Sequence, residues 1–362
     1  MTPHASAPEL WTSLRPLPRL AGPASQKAED EGWNGITFGD TQNLLGEPFV
    51  ALGTAIGATT VIRLSTGVTN PYTRHPAVTA SAIMCANIES GGRVELGIGR
   101  GDSALAHIGM APVSVAKLRD FLEIERMYLS GMPVPVSRLT GNSTGAIGSS
   151  LPLGVAPAES RMLWLSELKK LGVELPHEPV PIWVAATGPS VIRTAAELGD
   201  RVTLALGAEP SRVRWAVDLV RAVNASVPIA AYVTVIVDDD LERAFELGKG
   251  GIATRARFLA MHGRAHESVG ANDAQMLSEV PRAYDMDLHG RAGPQAEVIT
   301  REFAERFAIF GPAGACVDRL IELAELGIDR FHIRGVSSGE DPLAAEEINQ
   351  RFVREVMPHF SN

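Results

Sequence analysis

Three kinds of short stretch in this 362-residue chain have residue types and spacings suited to chemistry. The first is Gly188-Pro189-Ser190. A glycine followed by proline at a helix start leaves backbone N–H groups unpaired at the positive end of the helix dipole, where an anion such as a cofactor phosphate can sit. The same residues also read as a plain helix start capped by Ser190. The second is a pair of aspartates, Asp40 and Asp102, each closing an apolar strand-like run. A carboxylate there can accept a hydrogen bond from a ring N–H or move a proton; it can equally cap the helix that follows. The third is a set of small-residue turns: Gly39-Asp40-Thr41, Val68-Thr69-Asn70-Pro71-Tyr72, Gly99-Arg100-Gly101-Asp102, Thr187-Gly188-Pro189 and Gly207. Glycine in such turns lets the backbone approach a ligand closely.

Other motifs carry less. Gly97-Ile98-Gly99-Arg100-Gly101 resembles a dinucleotide glycine pattern but lacks the acidic residue on a second strand, so that reading is rejected. Asp238-Asp239-Asp240 reads as a helix start, where carboxylates complement the dipole, rather than as a metal site. His75, before Pro76, reads as a loop or helix-start residue. The two cysteines, Cys85 and Cys316, form no disulfide framework and read as small buried residues.

The elements that must position these turns alternate along the chain. Strand-like runs fall at about residues 10–14, 33–38, 62–68, 94–98, 181–185, 201–206, 229–237 and 328–333. Helical patterns at about 20–31, 48–59, 76–89, 113–129, 190–198, 210–223, 239 onward and 313–326 separate them, with none evident after the last strand. Repeated β-α units imply a parallel sheet with right-handed crossovers. Eight of them predict an α/β fold, the (β/α)8 TIM barrel, with a doubly wound open sheet as the rival. The chain is expected to be a single domain over 1–362 with excursions at about 131–179 and 262–294. The first should carry one helix near Glu159–Lys170 and form part of the substrate pocket; the second is polar and irregular. In such a barrel the chemistry sits where strands end, which is where the turns above lie.

Bulk properties bound the rest. The chain is 45% hydrophobic and 21% charged, with a formal net charge of -9. An acidic balance gives no general attraction for nucleic acid. No apolar run is long enough for a membrane span, and no secretory signal opens the chain, so a cytoplasmic location is expected.

Two segments, Gly67-Val68-Thr69-Asn70-Pro71-Tyr72-Thr73-Arg74-His75-Pro76 and Arg93-Val94-Glu95-Leu96-Gly97-Ile98-Gly99-Arg100-Gly101-Asp102, resemble the bacterial-luciferase-like flavin oxidoreductases. Ala185–Pro189, Gly207–Pro210, Phe310–Pro312 and Leu326–Phe331 extend the resemblance over nearly the whole chain, and its nearest branch is the coenzyme F420-dependent one typified by methylenetetrahydromethanopterin reductase. The resemblance implies a cis peptide at Gly67–Val68 backing a deazaflavin ring, and tail-phosphate contacts at Gly188 and Pro189. It implies cofactor contacts from Asp40, Thr69, Asn70, Gly99, Gly101, Thr187 and Gly207, with Asp102 and Asp40 as catalytic carboxylates. Thr41 stands where related sugar-phosphate dehydrogenases carry a histidine, and the first strand lacks the acidic residue of the methanopterin reductases. A pterin substrate is therefore not supported. The implied activity is hydride transfer between F420 and a small organic substrate, Asp102 serving the proton, in a homodimer. The alternatives are an FMN-dependent monooxygenase of the same fold and a barrel that only binds a ligand.

Overall fold

The computed structural model describes residues 7–140, 157–260, 269–336 and 341–361. Eight parallel strands close a barrel: β1 (Glu9–Leu14), β2 (Gly35–Phe38), β3 (Arg63–Thr66), β4 (Val94–Ile98), β5 (Ile182–Ala186), β6 (Arg201–Leu204), β7 (Ile229–Val237) and β8 (Arg330–Arg334). Each pairs with its sequence neighbour, and β8 pairs with β1 through Glu9↔Arg330 and Trp11↔His332, which shuts the ring. The (β/α)8 expectation holds and the open sheet is excluded. A short additional strand, Ile309–Gly311, pairs parallel with the end of β7.

Helix starts follow local chemistry. Pro48, Pro76, Pro189, Pro210 and Pro342 each occupy a first helical turn, where the missing N–H costs nothing. The side chains of Glu47, His75, Asp240 and Asp341 accept bonds from the free N–H groups that follow them. His75 and the Asp238–Asp240 run are thus helix-start residues, and among the described residues no group of three potential ligands could hold a metal. No described helix is long and apolar enough to cross a membrane.

Several expectations need correction. A helix, Pro342–Arg351, does follow β8. Asp102–His107 is a short helix of its own ahead of Val115–Leu129. The polar stretch after 262 contains the helix Ala271–Ala283, which Pro281 and its polar composition hide from periodicity. Within 131–179, Val134–Pro135 pairs antiparallel with Glu159–Ser160, and the helix is Trp164–Lys170; residues 141–156 and 261–268 lie outside the described residues. Cys316 is buried as expected, but Cys85 is exposed.

Inside the barrel, side chains stack in layers. At the strand N-termini, Arg330 bonds both oxygens of Glu95 at 2.7 and 3.0 Å and reaches Glu9 at 2.7 Å. Above lies an aromatic layer in which His332 contacts Trp11, Trp183 and Tyr232. Gly35 and Gly97 make room for it: a Cβ would come within 2.3 Å of Trp11 or 2.2 Å of Trp183 respectively. Trp183 donates to the Ser65 hydroxyl at 2.8 Å. The top layer is small and polar, with Ser13 and Thr37 hydroxyls 2.6 Å apart.

One buried group opposes the fold. Glu125, on the inner face of Val115–Leu129, is fully buried and neither carboxyl oxygen has a partner in the structure. Burial pushes its pKa well above the ordinary carboxylate value. A raised acid contributes stability that is complete below the unfolded pKa and is lost as pH rises through the folded one. Glu125→Met should therefore stabilise the protein by about 1–4 kcal/mol near neutral pH, with little gain near pH 4. Thermal melts of both proteins across that range test this; a pH-independent difference would contradict it.

Candidate active site

The C-terminal ends of the strands open into a cavity of about 730 Å³. Its wall includes Asp40, Gly67, Val68, Gly99, Gly101, Asp102, Thr187 and Gly207. These residues, all singled out from sequence, thus share one cavity.

Asp40 follows β2 directly and is 4% exposed. It accepts from the Thr69 hydroxyl at 2.7 Å and from the Gln42 amide at 2.5 Å, with Arg74 Nε 3.9 Å away. Burial raises its pKa, and those contacts oppose the rise without cancelling it. It caps no helix; Glu47 does that for Pro48–Ala58.

Thr69 and Asn70 are buried behind the wall rather than in it. The Asn70 side-chain oxygen Oδ1 accepts from Tyr72 and Thr73 N–H at 3.0 Å each, fixing the turn. Both therefore act on the site through what they hold. The Gly67–Val68 peptide is cis, as the resemblance implied. A Cβ on Gly67 would lie 2.4 Å from Thr37 Cβ, and one on Gly99 would lie 3.0 Å from Val68 Cγ2. The ends of β3 and β4 thus form a close-packed wall with little side-chain bulk.

Gly101, with φ +84°, leads into the helix Asp102–His107 and places the half-buried Asp102 in its first turn. Asp102 does not cap this helix, since Gly101 holds the cap position with no side-chain cap bond; Asp102 lines the cavity from the first helical residue. Arg257 bonds Ser103 Oγ at 2.8 Å, and Asp102 is among the charges that favour its protonated form. Gly207, φ +78°, packs under Phe307. Gly188, not Ser190, caps the helix Pro189–Leu198, and a Cβ there would meet nothing within 4 Å. Gly188 and Pro189 do not line the cavity themselves; they adjoin Thr187, which does.

The described part of 131–179 contributes nothing to the wall; Asp287, His289, Gly290 and Arg291 do so instead. His289 Nδ1 lies 2.6 Å from the Tyr284 hydroxyl, and burial together with Arg257 drives its pKa down to about 4, so the ring is neutral at pH 7. Sequence reasoning also missed Tyr232, Arg255 and Arg334 in the wall. Arg330-Phe331-His332-Ile333-Arg334 did carry a signal: polar residues at every second position of a strand mark the face toward the barrel interior.

A family model described as luciferase-like monooxygenase matches residues 13–330. A 5,10-methylenetetrahydromethanopterin reductase from Methanopyrus kandleri is 25% identical over 92% of this chain and 92% of the reductase. The solved coenzyme F420-dependent tetrahydromethanopterin reductase from the same organism superposes with a TM-score of 0.69 at 22% identity, covering 99% of this chain and 100% of that one. The FMN-bound oxygenating constituent of 3,6-diketocamphane monooxygenase from Pseudomonas putida superposes with a TM-score of 0.63 at 15% identity, covering 97% and 98%. At these identities the structural likenesses show the fold. The family model, however, runs from the first barrel strand to the start of the last and takes in every rim turn described above, so this chain belongs to the luciferase-like monooxygenase family.

Proposed function

We propose that the protein is an oxidoreductase that binds coenzyme F420 at this rim and exchanges hydride between it and a small organic substrate. The observation that carries the reading is the wall formed by Gly67, Val68 and Gly99, which presents little side-chain bulk for a ring to lie against and is packed from behind by Thr37. When bound, a deazaflavin supplies hydride chemistry at ring carbon five, whereas the nitrogen of FMN at that position allows oxygen activation. Thr187, Gly188 and Pro189 hold the tail phosphate at the start of Pro189–Leu198, where backbone N–H groups are free of side-chain caps. Asp40, fixed by Thr69 and Gln42, accepts from the ring edge, and Asp102 moves the substrate proton. The relative named as a methylenetetrahydromethanopterin reductase supports F420; the FMN-bound monooxygenase neighbour keeps an FMN monooxygenase as the second reading.

Titrating the purified protein with F420 and separately with FMN, followed by ring fluorescence, tests this. The expected result is an F420 Kd of about 10 µM or tighter, with FMN at least about tenfold weaker. The reverse order would overturn the deazaflavin reading and leave Asp102 without its role. Once a substrate is found, Asp102→Asn should retain cofactor affinity and lose about 10²–10⁴ of turnover.

A further inference from the structure

Two half-buried arginines in the cavity lack the carboxylate partner that several other arginines of the barrel have. Arg330 meets Glu9 and Glu95, Arg212 meets Glu209, and Arg201 meets Asp329. Arg255, near the end of the helix Leu241–Ala256, and Arg334, the last residue of β8, form no ion pair with a carboxylate among the described residues. Both line the cavity. They are also close enough that the Arg334 charge, after burial, lowers the Arg255 pKa.

The local bonds hold them in place. Arg255 Nε donates to Thr234 Oγ1 at 2.9 Å. Its Nη2 is out of solvent without a partner, in the space a Cβ on Gly251 would fill, 2.8 Å away. Nη1 is neither buried nor bonded, so it is the nitrogen open to the cavity. The Arg334 guanidinium lies over the Tyr232 ring, its central carbon 5.5 Å from the centroid. Burial lowers Arg255 to about 9, which leaves it charged at pH 7. Two fixed, like-charged guanidiniums in one cavity repel each other, and an oxyanion between them relieves that repulsion through charge-assisted hydrogen bonds.

Position assigns the anion. Strands β3 and β7 face each other across an eight-stranded ring, so the wall that backs the cofactor ring lies opposite the β7–β8 side where Arg334 sits. The proposed phosphate site, at the end of β5, lies elsewhere on the rim. We propose that Arg255 and Arg334 form a subsite for an oxyanion of the substrate (a carboxylate, sulfonate or phosphate), so that the substrate class is an anionic small molecule. This rests on the cofactor assignment above.

Inorganic sulfate is the probe. Wild type, Arg255→Gln and Arg334→Gln are compared by isothermal titration and by thermal midpoint, with sodium chloride matching ionic strength. Wild type should bind sulfate saturably with a Kd of about 1–10 mM, and each variant should bind about tenfold more weakly or worse. The variants should melt no lower than wild type without sulfate, because a repulsion between like charges is removed; Arg334→Met serves if Arg334→Gln does not fold. Affinity for the cofactor should stay within about twofold of wild type. Unchanged sulfate binding in both variants, or none in wild type, would overturn the proposal. So would a loss of cofactor affinity in the variants, which would hand the pair to the cofactor tail. Because sulfate binding is measured on the protein without cofactor, failure of wild type to bind any flavin would sink the functional reading independently of this result.

Discussion

Replacing Glu95 by alanine is expected to cost about 3–5 kcal/mol of stability, because it breaks a buried ion pair from one side only. Arg330 is 1% exposed and gives two of its donors to Glu95. Arg63 and Arg201 crowd the same end of the barrel; burial and Arg330 together push Arg201 down to about 10. With Glu95 gone, Glu9 is left to balance these three cations, helped only at the edge by Asp329 against Arg201. Urea unfolding measures the loss, and a change below about 1 kcal/mol would refute the assignment. Glu95→Leu combined with Arg330→Met should recover much of it, since an apolar pair needs no compensation. Cofactor affinity of the folded variant should not change: the network lies at the N-terminal ends of the strands, where barrel residues serve stability rather than chemistry. Although burial pushes Glu9 up, Arg330 and Arg63 hold it below its ordinary value. Its contribution is therefore present above the unfolded carboxylate pKa and is lost as pH falls through the lowered folded one.

The barrel was legible because its signals are local. Prolines at helix starts and β-branched runs between polar turns locate each unit without knowledge of the rest of the chain. The rim glycines were legible for the same reason: a turn that follows a barrel strand sits at the active end by topology alone. Contact partners across the barrel were not. Thr69 and Asn70 lie at the right place in the chain, yet whether they face the cavity depends on the path of the chain after β3, which turns them toward Asp40 and the turn instead. Arg255 is one of several arginines on polar helix faces, and only the helix's seating over β7 and the room left by Gly251 bring it inside. Tyr284 and His289 come from a stretch whose polar composition reads as irregular, so nothing in the sequence joins them to Asp102. The ion network and the arginine pair share this character, being products of residues tens to hundreds of positions apart that meet only when the ring closes.

The opposite end of the same interior gives the second large effect. Gly67→Ala should reduce cofactor affinity by about two orders of magnitude while costing only about 1–3 kcal/mol of stability, the usual range for overpacking. The added Cβ would lie 2.4 Å from Thr37 Cβ, 2.6 Å from its Oγ1 and 3.2 Å from its Cγ2. Thr37 cannot retreat: it is fully buried on β2 and its hydroxyl is tied to Ser13 at 2.6 Å. The segment after β3 is held by backbone bonds instead, Gly67 N–H to the Phe38 carbonyl at 2.6 Å and Thr69 N–H to the Gly97 carbonyl at 3.0 Å. With Thr37 fixed, it is the wall that must move, outward into the cavity and into the plane assigned to the ring, with Val68 carried along. A fluorescence titration reads the affinity and a thermal melt reads the stability, so the two effects separate. Thr37→Gly in the same chain removes all three clashing atoms and should restore most of the lost affinity, an outcome that general destabilisation would not produce. If Gly67→Ala binds the cofactor as tightly as wild type, the wall does not back the ring, and the ring must be sought elsewhere in the cavity.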